Sequence, residues 1–277
     1  KNPAARSLWF ARSRDGVHWE GWHNRAAVAN GHYEISAADA NRGITALNFH
    51  PSLSPFIRTN LYYMETHDLG ETWRTADGRL LDLPLSEEHN PALVYDYHAE
   101  GLLVYLKDIL FDLDGQPVIL FLTSAGNARG PGSVPRRWTT ARWTGQEWLI
   151  RPAMGSGDNY DTGSLHIEED GVWRLIAPTD DGPQPDNTGG EMVMWTSEDQ
   201  GGTWTRAREM TRGSVRNHTY ARRPVNAHPE FYALWADGRG GVEPSVSRIY
   251  FCDRDGNVRV LPEKMESDFA EPSVAPG

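Results

Sequence analysis

The chain of 277 residues is 39% hydrophobic and carries a formal net charge of −11. That is enough apolar content for one large domain or two ordinary ones, and the charge argues against nucleic acid as a partner; an acidic polymer would be repelled on average unless a local basic cleft received it. The lone cysteine, Cys252, rules out an intrachain disulfide, no apolar run is long enough to span a membrane, and no signal peptide is visible. Eleven Trp and ten Tyr, with 27 Gly and 18 Pro, suit an all-β chain with large packing faces and many turns. Helix signals are poor, because no long stretch keeps a 3.6-residue apolar period.

The chain opens on KNPAARSLWF, already strand-like, which reads as a processed or truncated N-terminus. Residues 7–20, SLWFARSRDGVHWE, read as the outer half of one repeat, folded about the turn SRDGVHW at 13–19. A second repeat covers 32–80, from HYEISA through ITALNFH and NLYYMET to THDLGETW at 66–73. A third covers 89–151: NPALVYDY, LLVYLKDILFD, PVILFLTS and RWTTARWTGQEWLI. The fourth, 159–212, ends its third strand on SEDQGGTW at 197–204, and the fifth, 218–262, holds TYARRP, EFYALWADG and SRIYFCDRDGNVRVL. The tail ESDFAEPSVAPG is too polar and Pro-rich to supply several strands.

The two full turns fit S/T-x-D-x-G-x-T-W. Their Asp and Ser/Thr side chains can bond nearby backbone N–H groups, Gly can supply a positive φ, and the Trp can pack beneath. The unit is strand, pinned turn, strand, a stability device rather than a catalytic one. These stretches resemble Asp boxes, the turn motif of BNR-repeat proteins in the sialidase-like superfamily, which implies a β-propeller of four-stranded blades. Repeats of this length point the same way. The expectation is a single all-β propeller domain over 1–277, with about four complete blades and a fragment, and with N-terminal blades lacking.

In a propeller the innermost strand of each blade lines the axis. The segments leading into the innermost strands are GHYEIS, EEHNPAL, DNYDTGSL and RNHTYARRP, which bring His32 and Tyr33, His89, Tyr160, and His218 and Tyr220 to corresponding points, with Arg222 and Arg223 following. A turn-only role would favour Gly, Asn and Asp there. His50 in NFHP and His228 in NAHP echo one another as turn or supporting residues, and Arg58 is either an anion contact or packed across an aromatic ring. The polar insertion PTDDGPQPDNTGGE, 178–191, is either a loop over the mouth or a structural Ca²⁺ turn using Asp180, Asp181 and Asp186. No HExxH, paired CxxC, phosphate loop or GxSxG elbow occurs, so no cofactor is expected to be required.

Beyond the turns, RTNLYYMETHDLGETW, NYDTGSL with GGEMVMWTSEDQGGTW, and NHTYARRPVNAHPEFYALWADG resemble the BNR-4 group of propellers, over roughly 30–262. That group is similar to ulvan lyases and to some glycosidases acting on uronate-linked sugars. The resemblance implies β-elimination at a His/Tyr mouth with a cation facing the uronate: His89 as base, Tyr160 as acid, Arg222 or Arg223 on the carboxylate, and His218 with Tyr220 able to exchange roles with the first pair. His32, Arg58 and His228 complete the expected substrate contacts. Two alternatives stay open. One is a glycoside hydrolase using carboxylates from Glu87, Glu88, Asp161 and Glu191; no FRIP-like segment or arginine triad marks a true sialidase. The other is a non-catalytic carbohydrate-binding propeller. The expected partner is an acidic polysaccharide or oligosaccharide, and the expected location is secreted or periplasmic.

Overall fold

The computed structural model describes residues 6–275 apart from residue 243. Apart from a 3₁₀ turn at Gly130–Ser133, its regular structure is all β. No helix among the described residues is long and apolar enough to cross a membrane. The chain divides into two compact units, the first running through Asn127 with Thr140–Ile150, the second comprising Ala128–Thr139 with Arg151–Gly277.

In the first unit, β1 (Leu8–Arg12) and β2 (Glu20–Ala26) form a two-stranded antiparallel sheet. Next come β3 (Glu34–Ala38), β4 (Gly43–Phe49), β5 (Thr59–Thr66) and β6 (Leu93–Tyr95), paired in that order. Every residue of β5 is buried, because its two faces feed two cores. Leu61 and Tyr63 join Ile44, Ala46, Ile119 and Phe121, while Tyr62 and Met64 join Leu47, Phe49, Trp73 and Leu85. Period-two alternation does the sorting. A further sheet orders β7 (Leu103–Phe111), β8 (Pro117–Ser124), β9 (Arg136–Trp143) and β10 (Trp148–Gly155), with β9 and β10 crossing the boundary between units.

One strand differs from the sequence reading. NPALVYDY was expected to open the third repeat, but β6 pairs with β5 and closes the second sheet. The return arm after Trp73 makes only bridges, Glu65 to Arg74 and Arg74 to Leu80. A second turn at Gly78 (φ +84°), where the Arg79 N–H donates to Thr75 Oγ1, reverses the chain too soon for a full strand.

The second unit holds β11 (Ser164–Ile167), β12 (Trp173–Asp180), β13 (Glu191–Ser197) and β14 (Thr205–Glu209) as one sheet. Another comprises β15 (Asn217–Arg222), β16 (Ala233–Gly238), β17 (Ile249–Cys252), β18 (Val258–Val260) and β19 (Ser273–Val274). The polar tail thus adds one two-residue strand. The core here joins Met192 and Met194 to Trp235, Tyr250 and Cys252, whose thiol pKa burial pushes up to about 12.

The repeated turns close as their residues dictate. The Thr66 hydroxyl donates to Asp68 (2.8 Å), the Gly70 N–H donates to Thr66 Oγ1 (2.8 Å), and the Thr72 N–H and hydroxyl both donate to Asp68. Ser197, Asp199, Gly201 and Thr203 repeat this pattern bond for bond. Burial works against the Asp68 charge, but the Thr72 and Thr66 donors outweigh it and hold its pKa at about 2. The positive φ is shared by Leu69 (+56°) and Gly70 (+87°), and by Gln200 (+57°) and Gly201 (+82°).

Candidate active site

Antiparallel order puts the approach to the first strand, the connection from second to third, and the exit from the fourth at one end of a sheet. In the β3–β6 sheet that end gathers residues 31–33, 50–58 and 96–102, as the pairs Glu34–Leu47, Phe49–Thr59 and Leu61–Tyr95 require. The S/T-x-D turn at 66–73 lies at the other end.

Three residues at the start of β5 organise this end of the first unit. The Arg58 guanidinium is sandwiched between the Tyr33 and Tyr105 rings, 4.5 Å from each centroid, which is the aromatic packing offered as one of its two readings. The carbonyl of Arg58 accepts from the Val104 N–H (2.9 Å), and Thr59 donates to the Leu102 carbonyl (2.6 Å). Asn60 is fully buried with φ +58°, a conformation a non-glycine residue holds only when its surroundings compel it. Its side chain accepts from the His98 N–H (2.8 Å) and donates toward Tyr62 and Glu88. Glu88 in turn meets His98 Nδ1 at 2.6 Å.

Beside this frame stands His89. Its Nε2 lies 2.9 Å from Asp96 Oδ2, and its side chain is 70% exposed. The Asp96 carboxyl is held below the usual carboxylate range by the Ala99 N–H and by the His89 ring. A carboxylate can only accept, so Nε2 carries the proton and Nδ1 is left to face solvent as a base. Around Arg58 lie further cations. Arg6 donates to the Tyr33 hydroxyl (3.2 Å), and buried Lys107 sits 6.0 Å from the Tyr105 ring. This is a local basic patch on an acidic chain.

The other histidines of this unit's end are held in the fold. His32 is buried, its Nδ1 on the Asn48 carbonyl (2.8 Å) and its Nε2 accepting from the Val28 N–H (3.0 Å), so no ring nitrogen remains for a substrate. His50 is buried edge-on to Tyr33, its Nδ1 on the Ser54 carbonyl.

In the second unit His218 is 3% exposed. The Trp235 indole N–H donates to its Nδ1 (2.9 Å), so Nε2 carries the proton and meets Ser214 Oγ (2.9 Å); the Ser214 hydroxyl donates to Glu191 (2.7 Å). Neutral His218 is therefore a donor rather than a base. It lines a cavity of about 280 Å³ with Ser214, Arg216, Asp237, Arg248 and Tyr250. Tyr220 is 58% exposed at φ +69°, with Arg222 over its ring at 4.7 Å. Arg223 donates to the Leu165 carbonyl (2.9 Å) and Tyr160 is half-buried. His228 is an exposed turn residue whose Nδ1 accepts from the Glu230 N–H (3.2 Å).

Two of the carboxylates offered for hydrolysis, Asp161 and Glu191, are engaged within the fold. Asp161 is fully buried and accepts from Ser156, Gly157, Asp158 and Gly189. Glu191 accepts from Thr211 and twice from Ser214. In the 178–191 insertion Asp180 is engaged by Arg206, and no group of three or more His, Cys, Asp or Glu fit to hold a metal ion occurs among the described residues. The loop is tied down by Asn217, which donates to the Gln184 carbonyl (2.9 Å) and accepts from the Gln184 N–H (3.0 Å).

Burial lowers the pKa of His32 from 6.5 to about 4, and burial likewise lowers those of His50, His166 and His218. The unfolded chain takes up protons at the ordinary value and the folded one resists, so stability is full above about pH 6.5 and is lost as pH falls toward 4. For His32 alone the loss across that window is about 3 kcal/mol. Urea midpoints at pH 7 and pH 5 should differ accordingly, and a flat profile would show that these rings protonate in place.

No family model matches the chain. An ulvan lyase of Nonlabens ulvanivorans is 22% identical over 205 residues, 73% of this chain and 41% of that protein. A solved PL25 ulvan lyase bound to -[GlcA(1-4)Rha3S]- superposes with a TM-score of 0.70 at 16% identity, over 89% of this chain and 59% of its own. The chain is similar in fold to that lyase over the superposed length. The polysaccharide lyase Uly1 follows at a TM-score of 0.60 and 11% identity, over 89% of this chain and 53% of its own. A thermostable family-43 glycoside hydrolase reaches 0.51 at 11% identity, over 99% of this chain and 90% of its own. These neighbours are propeller-like, and the several four-stranded antiparallel sheets of the chain agree with the four-stranded units read from the repeats, while the chain spans 41% to 59% of the length of the lyases it matches.

Proposed function

We propose that the chain belongs to a polysaccharide lyase cleaving a uronate-containing polysaccharide by β-elimination. The observation that carries this reading is the His89–Asp96 pair, with an exposed Nδ1 in the same unit as the Arg58, Arg6 and Lys107 patch. His89 Nδ1 takes the proton beside the uronate carboxylate, and Arg58 stabilises the enolate charge that develops. The electron pair forms the carbon–carbon double bond as the bond to the leaving oxygen breaks. A tyrosine then returns a proton to that oxygen. The resemblance to the BNR-4 group implies Tyr160 for this acid role. Tyr33 is the candidate within the first unit, because its hydroxyl accepts from Arg6 and keeps its own proton. Arg222, Arg223 and Tyr220 are further proposed substrate contacts, whereas both ring nitrogens of His218 are already taken by Trp235 and Ser214.

The hydrolase alternative is disfavoured because Asp161 and Glu191 are already saturated by N–H and hydroxyl donors. The S/T-x-D-x-G-x-T-W turns are read as Asp boxes of a BNR-type propeller, supported by the identical bonding of the two copies. A polymeric substrate implies a secreted or periplasmic protein. The test is ultraviolet absorbance of the conjugated uronate product during incubation with ulvan and other uronate polysaccharides. Rising absorbance is expected. New reducing ends without absorbance would turn the reading to hydrolysis, and neither signal would turn it to binding alone.

A further inference from the structure

The cavity under Arg216 in the second unit is not used by the elimination chemistry, and its acceptors are already occupied. Asp237 accepts from the Arg248 N–H (2.6 Å), from Arg216 Nη2 (3.1 Å) and from the Tyr250 hydroxyl (3.1 Å). His218 and Ser214 pass their protons inward toward Glu191. What the walls still offer is donors. A guanidinium carries five N–H groups, and the one recorded contact of Arg216 is with Asp237; its Nε is buried without a partner among the described residues.

Arg212, Arg216 and Arg248 line the cavity against a single lining carboxylate, Asp237. The outer partners Glu209 and Glu263 are 41% and 62% exposed, so solvent screens them. The back wall is rigid, with Tyr250 stacked on Trp235 at 6.1 Å and edge-on to His218 at 4.6 Å. A space of about 280 Å³ is small for a drug-sized ligand but suits one sugar ring.

We propose that this cavity is a subsite for one anionic sugar unit, its carboxylate or sulfate oxygens held in the fork of Arg216 with Arg248 and Arg212 alongside. The proposal extends the acidic-polysaccharide reading and rests on it for the identity of the ligand. Bidentate guanidinium recognition suits either oxyanion, so the probes separate the sources. Calorimetric titration of the intact chain with glucuronate, with sodium sulfate and with neutral glucose should give binding for at least one anion and none for glucose.

Arg216→Gln is expected to abolish that binding but also breaks the Asp237 pair. The double variant Arg212→Gln/Arg248→Gln, altering the two outer guanidiniums, should therefore be measured beside it and should weaken the anion at least tenfold with melting unchanged. Equal affinity of the double variant and the parent, or equal binding of glucose, overturns the proposal. Failure of the lyase reading is distinguishable: no polymer would yield an unsaturated product, while the anion titration would stand.

Discussion

His89→Ala is expected to lower the elimination rate by about 100- to 10,000-fold, the usual contribution of a positioned general base, with the melting temperature unchanged. The ring is 70% exposed and its recorded partner is Asp96, so its removal opens no cavity. Asp96→Asn should also lower the rate, because the amide NH2 can donate to Nε2 and hold the ring in the tautomer whose Nδ1 carries the proton. The measurement is the initial rate of ultraviolet absorbance increase on the best polymer, for both variants. Full activity in His89→Ala would remove this residue from the mechanism and shift attention to the other titratable groups of the same end, His98 with Glu88 first.

Trp73→Ala is expected to destabilise by about 3–5 kcal/mol, the range for removing a buried aromatic ring. The indole is 4% exposed. It meets the Phe10 ring at 5.4 Å and lies 4.4 Å beneath the Arg25 guanidinium, joining the β1–β2 sheet to the second sheet. The equivalent Trp204 is only half-buried and Trp19 is 56% exposed, so Trp204→Ala should cost markedly less and Trp19→Ala least. Denaturant midpoints of the three variants test the order. Equal losses would mean that the turn itself, rather than what lies beneath its indole, sets the value.

The fold was largely legible because its signals are local. Alternation in NLYYMET and EMVMWTS marks the strands, and the bonding of Thr66, Asp68, Gly70 and Thr72 joins residues at most four apart. The site was legible only in part. His and Tyr at the ends of strands were visible as candidates, but pattern cannot say which will be buried. His32 and His89 read alike in the sequence, yet both nitrogens of His32 are occupied by backbone. Asn60, Asp96, Tyr105 and Lys107 carried no signal, since an Asn in a strand motif or an Asp in a turn is ordinary until its partner is known.

The sequence by itself determined the all-β class, the repeating turns and their hydrogen bonds, and the acidic balance that makes any anion site depend on a local basic patch. These follow from side-chain period and short-range bonding, which need no knowledge of distant residues. Only the tertiary structure decided that β6 closes the second sheet, that Arg58 sits between Tyr33 and Tyr105, and that His89 meets Asp96 while Asp161 and Glu191 are tied into loops. Period-two alternation chooses the face a side chain occupies. Its neighbours across the sheet are chosen by register and loop closure, and those set each group's hydrogen bonds, burial and charge.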